Sequence, residues 1–222
     1  MRKAVILLSG GLDSATCLAI AKQDGYELQA SSFKYGQRHE FEINAAKKIA
    51  KSMGVTNHVV MDINLRAFGG SALTDNIDVP KNRDVTEISS EIPVTYVPAR
   101  NTIFLSFALA FAETTESNDI FIGVNALDYS GYPDCRPEFV EKMNALSLIS
   151  DYQPISVKAP FIDLSKSEIL SKGVEMNLDY SKTWTCYEGK DLACGLCGSC
   201  NERLEAFSEN NLDDPLEYYV SS

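Results

Sequence analysis

The chain has 222 residues, and 20 Lys and Arg against 31 Asp and Glu give it a formal net charge of −11. This acidic balance argues against a protein that coats duplex nucleic acid, because phosphate neutralisation requires clustered basic residues, but it leaves small anionic ligands open. Apolar residues make up 45% and charged residues 23%, which is typical of a globular protein with a sizeable core.

The N-terminus and the cysteines predict the compartment. Only a short apolar run, residues 4–8, follows Met1-Arg2-Lys3, whereas a signal peptide needs a longer apolar core and a membrane span needs about 20 apolar residues. We therefore expect a cytoplasmic protein without a membrane partner. Its six cysteines are then reduced, and metal binding or catalysis is a better interpretation of their spacing than disulfides.

Short apolar runs alternate with helical patterns along the chain. The patterns predict strands at 4–8, 27–33, 58–61, 120–124 and 155–158, helices at 12–24, 38–53, 101–116 and 137–149, and a further helix opened by a capping box at 165–168. Strands that alternate with helices imply right-handed crossovers, so the expected fold is α/β, with a Rossmann-like, three-layer parallel sheet.

Two stretches interrupt this alternation. Residues 69–98 are polar and contain Pro80, Pro93 and Pro98; a loop of this length inside a compact domain is usually functional, and we interpret it as a lid over the site. Residues 179–222 hold four of the six cysteines. We therefore expect a sheet domain over 1–178 and a small metal-binding appendage over 179–222.

Residues 9–14, Ser-Gly-Gly-Leu-Asp-Ser, follow the first strand and open the first helix. We call this segment the glycine loop. Glycines allow an anion to approach the backbone, and free amides at a helix start point toward it. Ser9 and Ser14 can add hydroxyl donors, while Asp13 can hold Mg²⁺ or cap the helix. The loop lacks the Gly-Lys-Ser/Thr ending of mononucleotide hydrolases and the third glycine of dinucleotide-binding loops.

The cysteine cluster consists of Cys186, Cys194, Cys197 and Cys200. Two successive two-residue spacers let three thiolates converge on one ion, with Cys186 as the fourth ligand. Four thiolates with no open position describe a structural Zn²⁺ site, although an iron–sulfur cluster can use similar spacings. Cys17 lies in the first predicted helix, where a buried core thiol is the simplest interpretation.

Three polar loops follow strands or precede a helix, at 35–39, 97–101 and 123–137. Ligands of open α/β sheets bind at the carboxyl ends of the strands. Each loop holds Arg, Asp or Tyr among turn-forming residues, and His39 is one of two histidines in the chain. Such residues are often loop caps when taken singly, but three polar loops at one edge indicate a site.

The glycine loop resembles the Ser-Gly-Gly-x-Asp-Ser loop of the PP-loop ATP pyrophosphatases. Together with residues 35–39, 98–101, 128–134, 182–186 and the last three cysteines of the cluster, it makes nearly the whole chain resemble the QueC family of queuosine biosynthesis. The resemblance implies an adenine nucleotide alpha hydrolase-like fold and a homodimer. It also implies ATP-dependent conversion of 7-carboxy-7-deazaguanine and ammonia into the 7-cyano compound through adenylated intermediates.

The resemblance and the residue chemistry together suggest roles for individual residues. Loop amides, Mg²⁺ and placed cations would stabilise phosphate charge, and no covalent protein nucleophile is needed. The expected ATP-binding residues are Leu8, Ser9, Gly10, Gly11, Leu12, Asp13 and Ser14; the expected catalytic residues are Asp13, Ser14, Arg100 and Lys166; and the expected base-binding residues are Asp128, Tyr132 and Asp134.

Two alternatives remain at this point. A PP-loop enzyme that modifies tRNA directly, by thiolation or lysine ligation, should carry a basic patch or an added RNA-binding domain, and thiolation would need a further cysteine, for which Cys135 is the loop candidate. A zinc-containing ATP sensor would bind the nucleotide without turnover. Release of AMP that depends on the deazaguanine acid separates the enzyme from the sensor.

Overall fold

The computed structural model describes residues 1–37, 40–79, 92–150, 153–188 and 191–219. Arg38 and His39, which begin a predicted helix and end a predicted loop, lie outside the described residues. The same holds for residues 80–91 of the expected lid. The lid therefore stays a prediction.

The described chain forms one parallel sheet, as the alternating pattern predicts. Its strands are β1 (Lys3–Leu7), β2 (Glu27–Lys34), β3 (Asn57–Asp62), β4 (Asp119–Phe121) and β5 (Ser156–Lys158), in the order β3-β2-β1-β4-β5. The central strand β1 is apolar because both of its faces are covered, and Ala4, Val5 and Ile6 are fully buried.

Strand β4 is shorter than the predicted strand over 120–124. Its pairing with β5 ends at Phe121, opposite Lys158, and Ile122 adds one backbone hydrogen bond to Lys158. Ile122 and Val124 remain buried beyond the ladder. The apolar run over 120–124 therefore predicted which residues are buried, but it overestimated the length of the strand.

Helices cover both faces of the sheet. They are α1 (Leu12–Gln23), α2 (Phe41–Met53), α3 (Arg100–Thr114), α4 (Ala126–Gly131), α5 (Pro137–Ser147), α6 (Lys166–Glu175) and α7 (Gly198–Glu209). The predicted helices at 12–24, 101–116 and 137–149 are confirmed within two residues at their ends. None of these helices in the described part of the chain is long and apolar enough to cross a membrane.

Sequence reasoning missed α4 and α7. Helix α4 is short and lies in a segment rich in turn-forming residues, which conceals a single helical pattern. Helix α7 begins at Gly198 inside the cysteine spacing, so a metal-binding interpretation took precedence over a helical one. The capping box of α6 is confirmed: Glu168 N–H donates to Ser165 Oγ at 3.2 Å, and Ser165 N–H donates to Glu168 Oε2 at 2.8 Å.

Two apolar cores separate the three layers. One packs Ile6 and Leu8 of the β1 region against α1, α2, α6 and α7, and the other packs Val5 and Leu7 against α3 and α5. Phe207 of α7 belongs to the first core. The C-terminal segment thus shares the core of the sheet, and a unit boundary near residue 178 stays a prediction.

Candidate active site

The glycine loop turns from β1 into α1 with Gly10 at φ +96°. A Cβ on Gly10 would lie 2.2 Å from the backbone oxygen of Glu42, so both the left-handed conformation and the close approach of α2 require glycine. Ser14 Oγ accepts from Gly10 N–H at 3.3 Å and donates to the Gly11 carbonyl at 3.0 Å. The hydroxyl oxygens of Ser9 and Ser14 lie 3.0 Å apart. These contacts hold the loop in one shape.

Asp13 is the ionic centre of this loop. Its Oδ2 accepts from Lys166 Nζ at 2.5 Å and from Asn125 Nδ2 at 3.3 Å. Its Oδ1 is buried and has no hydrogen-bond partner among the described residues. Lys166 is the first residue of α6, so the capping box fixes the helix end that carries the ammonium group. The pair brings together two residues that sequence analysis assigned to catalysis.

Two further carboxylates face Lys166. Burial is the main reason that the pKa of Asp128 is raised to about 6; Lys166 opposes the rise and Asp13 adds to it. Burial also raises the pKa of Glu202, on α7, to about 7, against the opposing effect of Lys166. Burial by itself would lower the pKa of Lys166, but Asp13, Asp128 and Glu202 outweigh it, so the pKa is raised and the ammonium group stays charged.

Arg100 begins α3 on the other side of the glycine loop. Its guanidinium lies 5.8 Å from the centroid of the Tyr35 ring. Glu42 of α2 faces the same space, and burial raises its pKa to about 7 while Arg100 lowers it. Arg100 and Lys166 therefore supply cationic groups from two helix starts, and their catalytic roles stay a prediction.

The three expected base-binding residues take different positions. Asp128 lies on α4, where its Oδ2 accepts from Asn125 N–H at 3.3 Å. Tyr132 OH lies 2.8 Å from Thr95 Oγ1, and both Asp128 and Tyr132 line the cavity described below. Asp134 instead accepts from Asn101 N–H at 2.8 Å, in the first turn of α3, and it does not line that cavity in the described structure.

A cavity of about 250 Å³ joins these groups at the carboxyl ends of the strands. It is lined by Ser9, Asp13 and Ser14 of the glycine loop and by apolar and aromatic side chains of β2 and α3. Of the residues expected from the sequence, Leu8, Ser9, Gly11, Leu12, Asp13, Ser14, Arg100, Asp128, Tyr132 and Lys166 line it.

Sequence reasoning missed several polar residues of the cavity wall, among them Ser31, Glu42, Ser199 and Glu202. Glu42, Ser199 and Glu202 lie on helix faces, and no local motif separates them from solvated surface residues. Ser31, on β2, is fully buried, and its hydroxyl has no partner in the described structure. The adjacent serines Ser31 and Ser32, in a strand expected to be buried, were the sequence feature that pointed to it.

The cysteine cluster assembles as its spacing predicts. The Sγ atoms of its four members lie within 4.8 Å of one another. Backbone N–H groups of Glu188 and Cys194 donate to Cys186 Sγ, each at 3.3 Å, and that of Cys197 donates to Cys194 Sγ at 3.3 Å. Donors directed at sulfur stabilise thiolates, so the group fits a metal ion held by four cysteines.

The remaining cysteines lie apart from this cluster. Cys17 is fully buried in the core, as expected, and burial raises the pKa of its thiol. Cys135 is 3% exposed, receives a hydrogen bond from Asn101 Nδ2 at 3.2 Å, and has a thiol pKa raised by burial. At Cys135 burial outweighs the donor from Asn101, so the thiol form is favoured at both positions.

Comparison with known proteins finds a family model and relatives that share one enzyme name. Residues 3–211 match a family model described as queuosine biosynthesis protein QueC. The chain is 54% identical to the 7-cyano-7-deazaguanine synthase of Nostoc punctiforme, with 97% of this chain and 99% of that protein covered. It is 53% identical to the synthase of Desulfatibacillum aliphaticivorans, with coverage of 97% and 96%.

Solved structures share the fold at low sequence identity. An NMN synthetase from Francisella tularensis superposes with a TM-score of 0.51 at 13% identity, covering all of this chain and 90% of that one. A protein of Methanocaldococcus jannaschii described as a predicted subunit of tRNA methyltransferase gives a TM-score of 0.51 at 15% identity, covering all of this chain and 93% of that one. These likenesses support the α/β architecture alone.

Proposed function

This chain belongs to the family of the queuosine biosynthesis protein QueC, and from that premise we propose that it is a 7-cyano-7-deazaguanine synthase. The observation that carries the proposal is the convergence of the glycine loop, Lys166 and Asp128 in one cavity. An anion-binding loop beside a buried ammonium group suits a triphosphate. The adjoining carboxylate and aromatic side chains suit a guanine-like base.

A carboxylate is a poor acyl donor because its oxygen is a poor leaving group, so ATP must activate it first. The carboxylate of 7-carboxy-7-deazaguanine attacks the α-phosphorus of ATP, and the bond to pyrophosphate breaks. Ammonia then attacks the carbonyl carbon of the acyl-adenylate, the bond to AMP breaks, and an amide forms. In the second activation the amide oxygen attacks the α-phosphorus of another ATP and the bond to pyrophosphate breaks. AMP then leaves with that oxygen as the nitrogen loses its two protons, which gives the nitrile.

The protein contributes position and charge to these steps. Ser9, Ser14 and the loop amides hold the phosphates, while Lys166 and Arg100 stabilise the charge that builds on them during displacement. Asp128 accepts from N–H groups of the base, and Tyr132 packs against its ring. Asp134 remains a candidate for base binding, although its carboxylate already accepts from Asn101; unchanged substrate affinity after Asp134→Ala would remove it.

Asp13 is the proposed ligand for Mg²⁺. Its buried Oδ1 has no hydrogen-bond partner among the described residues, and a carboxylate oxygen of this kind fits a hard cation. A bound Mg²⁺ would supply positive charge to the phosphates. Because the chain has a formal net charge of −11, bulk charge gives no help with ATP, and we expect turnover to depend on Mg²⁺.

The proposed ion of the cysteine cluster is zinc in a structural role. Four sulfur ligands leave no position for a substrate, which suits a closed tetrahedral site. Elemental analysis of the purified protein should give about one zinc per chain. A visible absorption spectrum typical of an iron–sulfur centre, with iron in place of zinc, would contradict this assignment.

The assay for the whole proposal measures AMP and nitrile. The protein is incubated with ATP, Mg²⁺ and ammonium, with and without 7-carboxy-7-deazaguanine. We expect AMP release and a nitrile product only when the acid is present. Tight ATP binding without AMP release would favour the ATP sensor instead.

Direct tRNA thiolation is the other enzyme considered. The burial of Cys135 and the raised pKa of its thiol favour the synthase, because a protonated buried thiol is a poor nucleophile. A Cys135→Ser variant should retain nitrile synthesis. Loss of all activity in this variant, with its fold intact by circular dichroism, would reopen the thiolation alternative.

We further propose that the enzyme is a cytoplasmic homodimer that handles a free base and binds no nucleic acid. The net charge supports the last point, since phosphate backbones attract clustered basic residues. Sedimentation at several concentrations should give the mass of two chains, and a gel-shift experiment with tRNA should show no complex.

A further inference from the structure

One residue connects the glycine loop to the cysteine cluster. The backbone N–H of Trp184 donates to the Gly10 carbonyl at 2.9 Å. Its indole Nε1 donates to the carbonyl of Cys186 at 3.0 Å. Trp184 therefore links the glycine loop, through its backbone, to the proposed metal-binding residue Cys186, through its side chain.

The indole ring is held from the side of α2 as well. Trp184 stacks on Phe41 with ring centroids 4.9 Å apart and planes 21° from parallel. The next residue of α2, Glu42, places its backbone oxygen where a Cβ on Gly10 would lie. Gly10 is therefore confined between α2 and the segment that leads to Cys186, and movement of Trp184 must change the position of the loop.

The cluster also holds the helix on the far side of the cavity. Cys197 is the N-cap of α7, and Cys200 lies in the first turn. Thr185 Oγ1 lies 2.7 Å from Ser199 Oγ, so the two cysteine-bearing segments contact each other next to Trp184. Ser199 and Glu202 of α7 line the cavity. Order in the cluster thus determines order along two walls of the site.

We propose that the metal ion of the cysteine cluster raises the affinity of the glycine loop for the triphosphate, and that Trp184 is the positioning residue that couples them. The inference rests on the proposed function, which assigns ATP to this loop. Without the ion, residues 184–186 lose their anchor, and a bound triphosphate must order the Gly10 peptide at a cost in affinity. With the ion, that order exists before ATP binds.

Reciprocity gives a test that does not depend on turnover. If the ion strengthens binding of ATP, then ATP must strengthen binding of the ion by the same factor. Zinc-loaded protein is equilibrated with a chromogenic chelator, with and without α,β-methylene-ATP and Mg²⁺, and the distribution of zinc gives its affinity for the protein. We expect the ATP analogue to raise this zinc affinity by about 5-fold or more. Because Trp184 is the single tryptophan of the chain, its emission should change when the analogue binds and again when zinc is removed.

Trp184→Phe and Tyr218→Phe form a matched pair. Trp184→Phe retains an aromatic ring for Phe41 but removes the donor to Cys186. Tyr218→Phe removes a hydroxyl that donates to Asp214 at 2.5 Å and keeps the ring beside Gly195, on the cysteine turn but away from the glycine loop. We expect the increase in zinc affinity caused by the analogue to disappear in Trp184→Phe and to persist in Tyr218→Phe, whatever either change does to zinc affinity without the analogue.

Calorimetry of the same preparations separates the two proposals. If the analogue binds and the zinc affinity stays unchanged, the coupling is wrong while the ATP site stands. If the analogue does not bind to folded, zinc-loaded protein, the proposed ATP site is wrong and the coupling with it. An equal increase in zinc affinity with the analogue in both variants would overturn the role of Trp184.

Discussion

Lys166 is a cation that offsets the carboxylates of the site. Its ammonium group pairs with Asp13 and lies in the field of Asp128 and Glu202, and these carboxylates raise its pKa despite burial. A cation that stays protonated at neutral pH can hold a carboxylate in place and stabilise phosphate charge as it develops. Sequence analysis identified this lysine from its place in a capped first turn, but its three carboxylate neighbours come from distant segments.

Replacing Lys166 by methionine should lower turnover about 100-fold or more, because one fixed charge is lost next to the reacting phosphates. The matched control is Lys182→Met, which breaks an ion pair with Asp179 whose side chains are 38% and 52% exposed. That pair contributes little, so AMP release should match the wild type. Near-normal AMP release by a folded Lys166→Met protein would contradict the role of this residue.

Glu42 should make stability depend on pH. Burial raises its folded-state pKa from 4.5 to about 7, so the folded state binds this proton more tightly than the unfolded state does. The free energy of unfolding should then fall as pH rises from about 4.5 to about 7. Relative to wild type, Glu42→Gln should gain stability over this window, by about 3 kcal/mol at most.

Urea unfolding of both proteins at several pH values measures this difference in the free energy of unfolding. Glu40→Gln is the control of opposite sign. Glu40 is exposed and bonded to Lys34, which lowers its pKa, so this variant should lose stability above the unfolded-state pKa. If the free energies of unfolding of Glu42→Gln and wild type differ by the same amount at every pH, the raised pKa of Glu42 is contradicted.

At the scale of elements, the glycine loop depends on its contact with α2. Gly10 meets the backbone of α2 at a distance that admits no side chain, and Gly123, after β4, would place a Cβ 3.2 Å from the backbone of Asp13 and Ser14. The loop is therefore packed between elements from both halves of the sheet. The motif itself was visible in the sequence, whereas the surfaces that confine it were not.

Gly10→Ala should destabilise the fold by about 3 kcal/mol, because it combines a left-handed conformation with a backbone clash. It should also abolish binding of the ATP analogue. Gly54→Ala is the control, since Gly54 caps α2 at φ +78° and a Cβ there meets nothing within 4 Å. It should cost about 1 kcal/mol and leave binding intact. If urea unfolding shows the same loss of stability in both variants, the contact between Gly10 and α2 does not contribute to the effect of Gly10→Ala.

At the scale of the molecule, the C-terminal segment and the sheet share one core. Phe207 of α7 is 4% exposed and meets the Tyr180 ring edge-on at 5.9 Å. Arg203 of the same helix is buried against Asp214 and reaches Thr183 through a hydrogen bond. From this packing we expect the cysteine-bearing segment to unfold together with the sheet, while the boundary expected near residue 178 stays a prediction.

Phe207→Ala should lower the free energy of unfolding by about 3 to 4 kcal/mol while calorimetry of the zinc-loaded protein still shows a single transition. Leu212→Ala, at a residue 41% exposed, should change stability little. Two separate transitions in the wild type would contradict the shared core and favour independent units on either side of residue 178.

The sequence by itself determined the α/β class, most strand and helix positions, the glycine loop and the cysteine cluster. Each depends on local periodicity or on spacing within about 15 residues, which a single chain displays directly. Tertiary structure alone decided that Glu42, Glu202 and Ser31 face the same cavity as Asp13, and that Trp184 bridges the loop and the cluster. Those residues come from separate segments, and only folding of the sheet and its helices brings them together.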